Sequence, residues 1–169
     1  MKSLNDFIGE QLFFIKPKLL KNYYELKLGD ETIGYVEVKG FFKNKAYVKI
    51  FDKEFIFIQA SFWRSILEIK ELGKEISFAS YNSKLFKDYG FIDLPMGESL
   101  KVSYSFFNSN YDLRNSLGEI LIQYSNKFPF KTRTDVSIEK KSQILEKYPW
   151  VIFIPFFVKL ERSKNSRVI

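Results

Sequence analysis

A chain of 169 residues that is 46% apolar and 18% aromatic can bury about two-thirds of its unfolded surface, enough for one domain with its own core. It contains no cysteine and no histidine, which excludes disulfides and thiolate chemistry and removes the usual general base near neutral pH and the commonest metal ligand. The formal net charge of +7 favours nucleic acid, anionic lipid or another acidic partner, although a Lys-rich composition yields the same surplus with no such meaning.

The opening stretch MKSLNDFIGEQLFFIKPKLL is not the pattern of a signal peptide, because Asp6 and Glu10 interrupt its apolar run and no small-residue cleavage site follows. Within it, Phe7, Ile8, Leu12 and Ile15 stand at helical spacing, while the aromatic end fits a strand entering Pro17 equally well. From Tyr23 the period becomes two. Tyr24, Leu26 and Leu28 alternate with Glu25 and Lys27, Gly29-Asp30 turns the chain, and Ile33 to Val38 returns it. GFFKNKAYVKIF (40–51) and KEFIFIQAS (53–61) read as two further strands joined at Asp52-Lys53, followed by SILEIKEL (65–72), Gly73 and KEISFAS (74–80). The polar segment 81–90 reads as a link between two halves. Beyond it lie GFIDL (90–94), a turn at Pro95-Met96-Gly97, SLKVSYSFF (99–107) and YDLRNSLGEILIQYS (111–125).

One pattern recurs through this series. Gly29, Gly73 and Gly118 each sit between two short alternating runs, and their spacing of roughly 45 residues has room for about four short strands with their turns. Phe62-Trp63 recurs as Phe106-Phe107, and Glu75-Ile76 as Glu119-Ile120, in the same register. The C-terminal part differs. Residues 136–147 lack clean alternation and read as helical. Pro149 suits the first turn of a new helix, where its missing N–H costs nothing. WVIFIPFFV (150–158) has no polar face, as a helix buried on all sides would. It is far shorter than the roughly 20 residues needed to span a bilayer. Pro155 opposes a mid-helix placement, at about 3 kcal/mol, so a strand over 150–160 remains an alternative.

The YELKLGDETIGYVEV entry (24–38), the repeated strand–Gly–strand units and YPWVIFIPFFVKL (148–160) together resemble the tubby C-terminal-like family, which includes LURP-one-related proteins and phospholipid scramblases. The resemblance covers about residues 11–162. It implies a twelve-stranded antiparallel barrel threaded by one hydrophobic C-terminal helix, and, from tubby itself, phosphoinositide binding. The calcium site of scramblases does not carry over, since no concentrated acidic loop occurs here.

The residues themselves offer little catalytic chemistry. The closest carboxylate pairs, Asp30-Glu31, Asp52/Glu54 and Glu68/Glu71, fall in turns or on strands as solvated faces do, whereas a glycosidase needs two carboxylates facing across a cleft. The glycines are dispersed as turn glycines, with no phosphate-binding loop. Basic residues gather in three places: Lys16, Lys18 and Lys21; Lys127, Lys131 and Arg133; and Lys159, Arg162, Lys164 and Arg167. The middle group interleaves Phe128 and Phe130, a combination suited to an anionic lipid surface or to single-stranded nucleic acid. The plainer reading makes those rings core residues beside solvated lysines.

The expectation is therefore a closed antiparallel β-barrel of about 10–12 strands over residues 1–169, with 1–10 and 163–169 as loosely ordered ends. Trp150, Ile152, Phe153, Phe156 and Phe157 form its buried central segment. Function is expected to be non-enzymatic and without cofactor or metal, in the cytoplasm or at the periphery of a membrane. Lys127, Lys131, Arg133, Lys159, Arg162 and Lys164 are the candidates for meeting anionic lipid or another acidic partner, with nucleic acid a weaker candidate. A lipocalin-like carrier is the alternative if 150–158 packs outside the barrel, and a domain without ligand is another.

Overall fold

Alternation of apolar and polar side chains from Leu12 to Ile138 builds a sheet that closes on itself. The structure is a computed structural model describing residues 2–17, 22–39, 45–61, 65–83, 87–105, 110–126 and 133–165. Its strands are β1 (Leu12–Ile15), β2 (Tyr23–Leu28), β3 (Glu31–Lys39), β4 (Lys45–Ile50), β5 (Lys53–Ser61), β6 (Ser65–Glu71), β7 (Ala79–Ser83), β8 (Tyr89–Asp93), β9 (Ser99–Tyr104), β10 (Asn110–Arg114), β11 (Ile120–Asn126) and β12 (Arg133–Ile138). Each pairs antiparallel with its neighbours in sequence, and β1 pairs with β12 at Leu12↔Val136 and Phe14↔Thr134 to close the barrel. Closure removes the free edges that an open sheet would present. Every second residue faces inward: Val36 and Val38, Val48 and Ile50, Phe55 and Phe57, Leu67 and Ile69, Leu100 and Val102 are all buried. Each such side chain contributes about 1.5–3 kcal/mol.

The recurring glycines mark a regular division of this barrel. Gly29, Gly73 and Gly118 take φ of +55°, +84° and +81°, where a side chain would be strained. They turn the β2–β3, β6–β7 and β10–β11 connections, each four strands beyond the last. The period is thus four strands repeated three times around twelve, which corrects the reading of 81–90 as a link between halves. Those residues include most of β7 and the start of β8. The strand expected from 74 begins only at Ala79, and the Phe78 N–H donating to the Ile69 carbonyl at 3.0 Å fixes where pairing with β6 resumes.

Two further expectations change at the C-terminus. Val136 to Ile138, read as helical, belong to β12, with Thr134, Val136 and Ile138 inward. Helix begins at α1 (Gln143–Lys147), capped by the Ser142 hydroxyl accepting from the Ile144 N–H. A 3-10 turn over Pro149–Ile152 then leads into α2 (Phe153–Asn165). That change of helix type resolves the position of Pro155. It falls in the first turn of α2, where an N–H has no intrahelical partner to lose.

Residues 151–158 are buried on every face of the helix. Phe153 and Phe156 meet Phe14 of β1 at ring separations of 5.4 and 4.0 Å, and Phe156 meets Tyr24 of β2 at 5.3 Å. Phe157 meets Phe57 of β5 at 6.3 Å, and the Tyr124 hydroxyl of β11 donates to the Ile152 carbonyl at 2.8 Å. A helix touched from all around a closed barrel lies in its lumen. Twelve strands leave an interior wider than side chains alone would fill, and a helix about 10 Å across occupies it.

The two ends of the lumen differ. At the entry end, where the 3-10 turn leads in, Leu4–Phe7 form another 3-10 turn closed by a reciprocal cap between Ser3 and Asp6. Leu4 and Phe7 are buried, so this part of the expected loose end 1–10 is docked. Asn5 and Ser142 exchange two hydrogen bonds of 3.0 Å there. The other end is where α2 leaves.

Candidate functional site at the helix exit

The inner wall at the exit end is built from tyrosines. Tyr111 of β10 lies opposite Tyr104 of β9 and Tyr124 of β11, and their rings stack at 5.8 and 4.7 Å. Tyr81 of β7 extends this row across β8, which carries Gly90 at the crossing. A Cβ on Gly90 would overlap the Tyr81 ring and its hydroxyl. Glycine there makes room for a phenol.

Packing alone does not explain these residues, since phenylalanine fills the same space without a polar atom. The hydroxyls of Tyr81, Tyr104 and Tyr111 and of Ser83 are buried and make no hydrogen bond. Leaving such a group unsatisfied costs about 1–3 kcal/mol. Burial pushes all four tyrosines above the ordinary phenol range. For Tyr104 the neighbouring Tyr81 adds to the rise and the Arg162 charge opposes it. For Tyr81 the influences of Tyr104, Arg162 and Ser83 all pull the other way. These groups face one another closely enough to interact, without hydrogen-bonding geometry.

Two cations on α2 complete the site. Lys159 and Arg162, three residues apart and so on one helix face, lie over this wall. The Lys159 Nζ is 5.9 Å from the Tyr111 ring centre and the Arg162 Cζ is 4.3 Å from that of Tyr104, within cation–π range. One guanidinium N–H of Arg162 donates to the Lys87 carbonyl at 3.2 Å. Burial first, and then the like charge of Arg162, hold the Lys159 ammonium below the ordinary lysine value. Neither cation has an ion-pair partner among the described residues.

The other candidates are placed as follows. Arg133 lies at the same end but on the outer wall, where its Nε donates to Asp135 at 2.7 Å and its guanidinium covers the Phe13 ring at 3.9 Å. It is committed to a local ion pair with a carboxylate only 5% exposed. Lys127 and Lys131, with Phe128 and Phe130, lie outside the described residues, as do Lys18, Lys21, Arg167, Trp63 and the side chain of Lys164. Lys16 is described, 5.8 Å from the Tyr24 ring. Trp150, Ile152, Phe153, Phe156 and Phe157 are all buried in the lumen.

Asp52, Glu54 and Glu71 line one open surface cleft at the entry end, and Glu31 and Asp52 line another beside it. Glu31 pairs with Lys2 at 2.6 Å, Glu54 with Lys49 at 3.6 Å and Glu71 with Lys74, while Glu68 accepts from Ser77. No group of three or more acidic side chains is placed to hold a metal among the described residues, and none of their helices is long and apolar enough to cross a membrane.

The tyrosine row was missed in the sequence although its signal is there. Tyr81, Tyr104, Tyr111 and Tyr124 occupy inward positions of alternating strands in a chain that uses Phe nineteen times. In comparisons with protein-family models, curated proteins and solved structures, nothing matches this chain.

Proposed function

We propose that the protein is a non-enzymatic binding domain that docks its exit end on an anionic lipid surface or another acidic partner. The observation that carries the reading is the charge difference between the two ends. The segments joining the strand ends at the exit are, by sequence, KPKLLKN (16–22), GFFKN (40–44), FWR (62–64), KLFKD (84–88), SFFNS (105–109) and KFPFKT (127–132), most of whose residues lie outside the described ones. Their sequences hold nine basic side chains and one acidic, and each contains two large apolar residues. The entry-end segments GD (29–30), FD (51–52), LGKEISF (72–78), LPMGE (94–98), NSLGE (115–119) and EKKS (139–142) hold three basic and six acidic. Lys159 and Arg162 add two cations to the exit side.

Each Lys or Arg near an anionic membrane contributes about 1 kcal/mol, so such a collection favours docking in one orientation. The resemblance to the tubby C-terminal-like family enters the proposal through the plan it implies, a barrel around a hydrophobic C-terminal helix. A lipocalin-like carrier called for residues 150–158 outside the barrel, and they are buried in its lumen.

The test is co-sedimentation with neutral, phosphatidylserine-containing and phosphoinositide-containing vesicles at low and physiological salt. Selective binding to anionic vesicles that persists at physiological salt is the expected result. Equal binding to neutral vesicles, or binding abolished by salt, would overturn the reading.

A further inference from the structure

We propose that the exit end contains an internal site for one phosphate group, held by the hydroxyls of Tyr81, Ser83 and Tyr104 and by the guanidinium of Arg162, with the Lys159 ammonium as a second cation. The inference rests on the reading of this end as the acid-facing one and adds a chemically defined cluster of donors to it.

Three observations converge. Tyr81 is 0% and Tyr104 8% exposed, and neither hydroxyl, nor that of Ser83, has a hydrogen-bond partner. Arg162 reaches the same spot, over the Tyr104 ring and within the influence of Tyr81, with only one of its N–H groups accounted for by a described partner, the Lys87 carbonyl. Gly90 clears the volume that Tyr81 needs to bring its hydroxyl into the group. Every side chain in this set can donate.

A donor set with two cations selects an oxyanion. A phosphate group, with several acceptor oxygens around one centre, takes more of these donors at once than a carboxylate does. The same chemistry is offered by a soluble phosphate ester and by the phosphate of a lipid headgroup.

The experiment uses the full chain, inorganic phosphate titrated against chloride at matched ionic strength, and the Tyr104→Phe and Arg162→Gln variants. Phosphate is expected to raise the wild-type Tm beyond chloride, with apparent affinity about tenfold weaker in Tyr104→Phe, as loss of a hydrogen bond to a charged group implies. Tyr104→Phe keeps the ring, so its Tm without phosphate is expected to equal or exceed that of the wild type, and it carries the test if Arg162→Gln fails to fold. Absence of a phosphate-specific rise, or an unchanged affinity in Tyr104→Phe, would overturn the proposal and leave the hydroxyls as packing.

Glycerol phosphate and phosphatidic acid vesicles then separate the sources. Tyr104-dependent binding of the soluble ester identifies a free ligand, and Tyr104-dependent binding of the vesicles alone identifies a headgroup. Vesicle binding without phosphate binding would sink this site while sparing the surface reading, and the reverse result would do the opposite.

Discussion

The two ends of the barrel divide stability from reactivity. At the entry end Trp150 is 1% exposed among Phe55, Phe57, Phe78 and Tyr148, and the Ser3–Asp6 and Asn5–Ser142 contacts satisfy polar groups in pairs. At the exit end hydroxyls are buried without partners and two cations share one helix face. A fold can retain such costly features only where the rest of the molecule supplies a surplus of stability. The difference teaches where to look for function, namely at the end whose local chemistry is least self-sufficient.

The largest expected effect breaks the entry end. Trp150→Ala removes the ring on which the plug is seated and should lower stability by about 3–5 kcal/mol, seen as a large fall in Tm. Next is charge reversal at the exit. Lys159→Glu with Arg162→Glu removes about 1 kcal/mol of lipid attraction per cation and introduces as much repulsion per anion, so vesicle affinity should fall about a thousandfold. Because Lys159 is held below its ordinary value chiefly by burial, replacing it with methionine should leave Tm unchanged or higher.

A third effect is read in alkaline solution. The tyrosine row ionises above the ordinary value of 10.0 in the folded protein, so the unfolded chain releases those protons first. Stability is intact below pH about 10 and falls above it, by up to about 1.4 kcal/mol per tyrosine per pH unit. Chemical denaturation at pH 9 to 12 should show this slope, and Tyr104→Phe should make it shallower.

The smallest effect is a control on orientation. Met96 and Leu117 are 89% and 81% exposed on entry-end hairpins. Met96→Ser with Leu117→Ser should leave vesicle binding unchanged, and a loss would move the docking surface to the opposite end.

Much of this architecture was legible before any coordinates. Tyr24, Leu26 and Leu28 announced β2 by period alone, because one face of that strand meets the plug and the other meets solvent. The three glycines announced the four-strand period because a tight turn at positive φ admits little else. Val136 to Ile138 were misread because only these three residues of β12 fall within 136–147, too few to show a period of two ahead of the charged stretch that follows. Pro155 misled because a shift from 3-10 to α geometry leaves no mark in composition. Of the site, Lys159 and Arg162 were found as charges, but their partners were not. Tyr81, Ser83 and Tyr104 lie on strands β7 and β9, and only the pairing of both strands with β8 brings their side chains together.

The plug has a consequence for how this chain is made. The segment 150–158 that fills the lumen follows all twelve strands in sequence, and β1 finds β12 only after some 120 residues have intervened. During vectorial synthesis the ribosome releases a set of amphipathic strands before the core they enclose has emerged. The nascent barrel must therefore persist as an open, apolar-faced ribbon until its last helix arrives, and that interval is when this protein most needs a chaperone.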